Sequence, residues 1–165
     1  AFVATSDFED SELTHPRDGL VDAGHEVVIV GTEKGEITGK KGDATVTVDA
    51  TPGDVSVADF DALVVPGGYS PDKLRLDEGV VAFVRGFFEA EKPVAAICHA
   101  GQLLTQAEVV KGRTMTSWPS VRMELELAGA NWVDKEVVED GNLITSRNPD
   151  DLDAFTSTLL EHPLG

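Results

Sequence analysis

The sequence has a single cysteine, Cys98, and few cations. One thiol excludes an internal disulfide framework and suits a reducing compartment. No apolar run approaches the ~18 residues that a membrane-spanning helix needs, and no basic stretch leads into a signal-like hydrophobic segment. These absences predict a cytoplasmic protein without a membrane partner. The chain opens on Ala1, already inside an apolar run, so a few residues are expected to be missing before it. Repeats, linkers and low-complexity tracts are lacking too. His15, His25 and His162 show no ligand-like spacing with each other or with Cys98, so no metal site and no cofactor are expected. Lys and Arg number 13 against 30 Asp and Glu, a formal charge of −17 spread along the chain. A surface of that sign offers nothing to displace counterions from phosphates, which excludes nucleic acid as a partner. It predicts adaptation to a medium of high ionic strength, in which distributed charges stop repelling one another.

What is present is the core of one domain over residues 1–165, with 41% hydrophobic residues and 8 prolines. Strand-like and helix-like stretches alternate. Residues 2–5 read as a strand, then an acidic loop leads into a helix from Ser11 or Glu12 to Ala23, stopped by Gly24 and with Pro16 near its start. Residues 26–30 and 61–65 read as strands, and the alternation at 45–48 reads as an antiparallel excursion. Val80, Val81, Val84, Phe87 and Phe88 form a helical stripe within 76–91. Residues 94–97 are a buried strand, 112–117 a further strand, 121–128 a helix, and 132–146 two strands about a turn at 139–142; a last helix starts near Asp150 or Asp151. This order predicts an α/β fold, one mostly parallel sheet with helices on both faces.

Cys98 stands where the 94–97 strand turns into a helix that begins with small residues. Such a turn lifts the side chain out of the sheet towards backbone N–H groups, which predicts a thiol of lowered pKa. A lone cysteine is most often a small buried hydrophobe, so supporting chemistry is needed. In open α/β sheets ligands bind beyond the carboxyl ends of the strands, and three segments fall there together: the Glu9 loop, Pro66-Gly67-Gly68 and Cys98-His99. Gly67 or Gly68, with the N–H of His99, can stabilise an oxyanion, because glycine lets the backbone approach a reacting atom. Glu9 can hydrogen-bond the thiol, favouring a thiolate if protonated and repelling it if ionised. His99 can act as general base. Each piece alone is an ordinary turn or a solvated acid; the conjunction is what points to chemistry. Trp118 is placed at the pocket wall, Trp132 in the core, and Arg147 in a structural salt bridge.

The segments Asp7-Phe8-Glu9-Asp10-Ser11-Glu12-Leu13, Val64-Val65-Pro66-Gly67-Gly68, Ala96-Ile97-Cys98-His99-Ala100 and Thr145-Ser146-Arg147-Asn148-Pro149 resemble the DJ-1/PfpI family, closest to its PfpI-like branch. The resemblance covers nearly the whole chain. It implies a flavodoxin-like, class I glutamine amidotransferase-like fold, with Cys98 as nucleophile, Glu9 as the acid beside it, His99 as its partner, and Gly68 with the His99 N–H as oxyanion hole. It also implies a homo-oligomer, a dimer or hexamer, in which a carboxylate from a neighbouring subunit completes the triad. By position this is Asp72, where relatives usually carry Glu; Ala100-Gly101 likewise replaces Gly-Pro. The implied activity is a cofactor-free cysteine hydrolase in stress protection, acting on peptides or as a deglycase or glyoxalase-type enzyme on small carbonyl compounds. The alternative of another class is a redox-sensing or chaperone-like stress protein that uses Cys98.

Overall fold

The structure, a computed structural model, describes residues 1–164. Its centre is a six-stranded sheet built from β1 (Phe2–Val3), β2 (Ile29–Val30), β5 (Leu63–Val65), β6 (Val94–Ile97), β9 (Val138–Asp140) and β10 (Leu143–Ser146). The spatial order is β2-β1-β5-β6-β10-β9, parallel throughout except for β9, which pairs antiparallel with β10 at one edge. This is the α/β flavodoxin-like arrangement. The central strands are buried on both faces, so they read as continuous apolar runs rather than alternating ones. Val94 and Ala96 of β6 enter one core, Ala95 and Ile97 the other, as the period of two requires.

The first core lies under α2 (Ser70–Leu74), α3 (Glu78–Glu89), α4 (Gly101–Gln106) and α5 (Arg122–Leu127). Helix α3 is capped by the Asp77 carboxylate, which accepts the Val80 N–H at 3.0 Å, and its stripe Val80, Val84 and Phe87 is fully buried. Burial of side chains of this size contributes about 1.5–3 kcal/mol each. The second core lies under α1 (Asp10–Asp22), α6 (Leu152–Glu161) and the hairpin of β3 (Gly35–Thr38) with β4 (Thr45–Val48).

Several boundaries differ from the sequence reading. Helix α1 begins at Asp10, which puts Pro16 inside it and leaves the Glu12 carbonyl without its usual helical donor. The strand expected over 112–117 shrinks to β7 (Thr114–Met115), which pairs with β8 (Asn131–Trp132) outside the main sheet. Helix α2 has no counterpart in the sequence pattern, because five residues are too short a stretch for periodicity to reveal. No helix among the described residues is long and apolar enough to cross a membrane.

Candidate active site

At the end of β6 the backbone of Cys98 takes a left-handed conformation, φ +62°, and enters a 3-10 turn over Cys98–Ala100 before α4. For a residue with a Cβ this costs about 1–2 kcal/mol. It also does what helical geometry would forbid: the adjacent side chains of Cys98 and His99 meet, with Sγ 3.3 Å from Nδ1 of the imidazole. The His99 backbone N–H is directed at the same sulfur. Trp118 closes this side. Its backbone N–H donates to the Cys98 carbonyl at 3.0 Å, and its ring stacks on His99 with centroids 6.0 Å apart, the residue as a whole being 40% exposed.

The acid beside the thiol is Glu12, not Glu9. Glu12 projects from the first turn of α1, is fully buried, and carries its carboxyl beside Cys98, one oxygen accepting from Gly67 and the other without a partner among the described residues. Burial, together with the neighbouring charge of Glu9, pushes the Glu12 carboxyl up to about 8. Glu9 instead faces the β3–β4 hairpin loop, with Oε2 2.8 Å from the Lys40 ammonium and Oε1 3.0 Å from that of Lys41. The reason is helical phase: with α1 starting at Asp10, Glu9 is the capping residue, outside the helix, and Glu12 falls on the inward face with Leu13, Pro16 and Leu20.

The thiol is not acidified as the strand-to-helix turn predicted. Burial, then the Glu12 charge, push Cys98 up, and the His99 N–H and Lys40 offset only part of that. A 3-10 turn followed by the six-residue α4 supplies a weak helix terminus, too little to outweigh desolvation. Burial and the Lys40 charge lower the pKa of His99, so its imidazole is neutral at pH 7.

The expected glycine pair divides. The Gly67 N–H donates to Glu12 Oε1 at 2.9 Å, so it holds the acid and is not free for an oxyanion. The Gly68 N–H has no intramolecular partner among the described residues, and Gly68 has φ +79°. A Cβ on Gly68 would collide with the Glu9 backbone nitrogen, which is why the loop after β5 can lie directly on the loop after β1. Tyr69 N–H to the Asp7 carbonyl, 2.8 Å, and Glu9 N–H to the Gly67 carbonyl, 3.1 Å, tie the two loops together. Asp72 lies exposed on α2 and makes no hydrogen bond or ion pair among the described residues, and so does not meet His99 within the protomer.

These three loops, ending on a strained cysteine, have recognisable counterparts. The sequence profile of the DJ-1/PfpI family matches residues 1–162. The chain belongs to the DJ-1/PfpI family. It is 51% identical over 157 residues to General stress protein 18 of Bacillus subtilis, covering 94% of this chain and 91% of that one. It is 48% identical over 162 residues to Protein/nucleic acid deglycase 2 of Escherichia coli, covering 97% and 94%. Among solved structures, a two-domain protein from Anabaena variabilis with DJ-1/ThiJ/PfpI-like and ferritin-like domains superposes with a TM-score of 0.95 at 38% identity. That match spans 96% of this chain and 46% of that one.

For a DJ-1/PfpI chain the residue the sequence reading missed is Glu12, and a signal for it existed. Glu12, Leu13, Pro16 and Leu20 share one stripe of α1, and a carboxyl on an apolar stripe is costly to bury without a use. Arg147 is a structural ion pair, its guanidinium donating to Asp151 and to Asp134 at 2.9 Å each. Trp132 is only partly buried, with its indole N–H donating to Ser117 Oγ at 3.0 Å.

Proposed function

We propose that this protein is a cysteine-dependent hydrolase of the stress-protective deglycase or peptidase type, with Cys98 as nucleophile and His99 as its base. The observation that carries this reading is the placement of Sγ between the His99 imidazole, 3.3 Å away, and the Glu12 carboxyl. At neutral pH thiol, imidazole and Glu12 are all uncharged, so proton transfer accompanies attack. The sulfur bonds to the carbonyl carbon, the thiol proton passes to His99 Nδ1, and the carbonyl electrons move to oxygen. The free N–H of Gly68 is the donor for that oxygen. Protonated Glu12 donates to the sulfur as charge develops and, being neutral, does not repel it. The same contacts favour a second reading, in which peroxide oxidises Cys98 to a sulfinate held by Glu12.

Asp72 enters as a carboxylate from a neighbouring subunit in a homo-oligomer. Supporting this, exposed Tyr69 and Leu76 flank α2, and Met123 and Leu127 lie exposed on α5. A charge of −17 supports a cytoplasm of high ionic strength as the working medium.

The test is turnover of methylglyoxal and of a fluorogenic peptide by the wild type, Cys98→Ser, and an equimolar mixture of Cys98→Ser with Asp72→Asn. Turnover by the wild type, with a loss of about 10³-fold or more in Cys98→Ser, is expected. Partial recovery in the mixture is expected if Asp72 acts across subunits. Equal inactivity of wild type and Cys98→Ser, with Cys98 readily oxidised, would transfer the reading to the sensor.

A further inference from the structure

The His99 imidazole lies against the Trp118 ring, and the sequence around Trp118 keeps that ring still. A residue ahead of a proline is held to extended backbone, and Trp118, followed by Pro119, has φ −55° and ψ 135°. Both of its backbone groups are engaged. The N–H donates to the Cys98 carbonyl at 3.0 Å, and the carbonyl accepts from Ser117 Oγ at 2.8 Å and from the Val121 N–H at 3.0 Å. Ser117 is held in turn. Its hydroxyl accepts the Trp132 indole N–H at 3.0 Å, and the Arg122 guanidinium lies 4.7 Å from the centre of the Trp132 ring.

His99 itself has fewer restraints. Its Nδ1 stands 3.3 Å from Sγ, and its Nε2 makes no hydrogen bond among the described residues. A base paired with a nucleophile is normally oriented by a third group, most often a carboxylate on the other ring nitrogen. Within the protomer no carboxylate among the described residues takes that place. The Trp118 ring does meet the imidazole, with centroids 6.0 Å apart and planes 24° from parallel, the offset stack that aromatic quadrupoles favour. Swinging the imidazole away from the sulfur gives this contact up.

We propose that Trp118 is a positioning residue of the site, its ring holding the His99 imidazole by one face so that Nδ1 stays directed at Sγ. This deepens the hydrolase reading and rests on His99 as the base. The indole acts on the face of the imidazole, so the Nε2 edge is left open to a carboxylate from another subunit. An aliphatic side chain at 118 fills space without stacking, and therefore separates orientation from packing.

The experiment measures alkylation of Cys98 by iodoacetamide at neutral pH in the wild type, Trp118→Leu, His99→Ala and the double variant. With one cysteine in the chain, intact mass reads the rate directly. The sulfur bonds to the methylene carbon, iodide leaves, and the thiol proton passes to His99 Nδ1. Trp118→Leu is expected to slow the reaction about three- to tenfold while His99 is present, the loss of one aromatic pair, and to change it less than about twofold once His99 is alanine. Trp118→Phe is expected to keep most of the wild-type rate, and Trp118→Met replaces Trp118→Leu if the latter does not fold. Equal effects of the aliphatic variant in the two backgrounds would mean packing or access rather than orientation, and overturn the proposal. So would a Trp118→Phe as slow as Trp118→Leu, or a wild type alkylated no faster than His99→Ala. Methylglyoxal turnover is read on the same proteins. Coupling between Trp118 and His99 in a protein that turns nothing over sinks the hydrolase reading and leaves the positioning role standing, whereas turnover without coupling sinks the positioning role alone.

Discussion

Glu12 is the residue whose chemistry is most exposed to test. Burial raises its carboxyl to about 8, against an ordinary value of 4.5, so the folded protein holds a proton that the unfolded chain releases over that interval. Stability from this group is therefore complete below about pH 4.5 and declines as pH rises towards 8. Glu12→Gln, which mimics the protonated acid, is expected to flatten this decline and to be the more stable form at pH 8 by denaturant titration. The same deprotonation sets a negative charge against the sulfur, so carbonyl turnover is expected to fall above about pH 8 in the wild type and to lose that limb in Glu12→Gln. Parallel stability curves for the two proteins would show that Glu12 titrates normally. The sequence made the strand-end cysteine and its histidine legible, but it placed the acid at Glu9. That choice turned on where α1 begins, and a shift of one residue rotates a helix by about 100°.

At the scale of elements, the site is a junction of three loops held at close quarters by glycine. A Cβ on Gly67 would come within 2.5 Å of Glu12 Oε1 and 2.8 Å of the Cys98 Cβ. Gly67→Ala must therefore separate the loop after β5 from α1 or from β6. It is expected to cost about 1–3 kcal/mol as an overpacking change and to lower turnover at least tenfold, read by chemical melts and by kcat/KM. Wild-type activity in a stable Gly67→Ala protein would mean that the loop yields without disturbing Glu12. The Pro66-Gly67-Gly68 run was recognisable as a strand-end turn, yet its two glycines were indistinguishable in sequence. Only the packed loops show that one N–H is spent on Glu12 and the other is free. The β7–β8 pair has a similar cause: two residues per strand carry too little pattern to say which sheet they join.

Over the whole molecule, the excess of acids over cations sets like charges against one another. With a formal charge of −17, raising KCl from about 0.1 M to about 1 M shortens the Debye length from ~10 to ~3 Å and relieves repulsion that the compact state suffers more than the unfolded chain. The melting temperature is expected to rise across that range by circular dichroism. A flat or falling curve would mean that paired acids such as Asp151 and Glu9, rather than the free ones, govern the electrostatics. Composition alone supported this expectation, since repulsion between distributed charges needs no knowledge of their contacts. The same holds for the α/β class, the doubly buried central strands and the position of Cys98, which follow from hydrophobic period, chain order and the strand-to-helix turn. What required the tertiary structure was every statement about which side chain meets which. Glu12 rather than Glu9 lies against the sulfur, the thiol is raised rather than lowered, and Lys40 pairs with Glu9. Those outcomes depend on helical phase, on burial and on contacts between segments dozens of residues apart, none of which local pattern encodes.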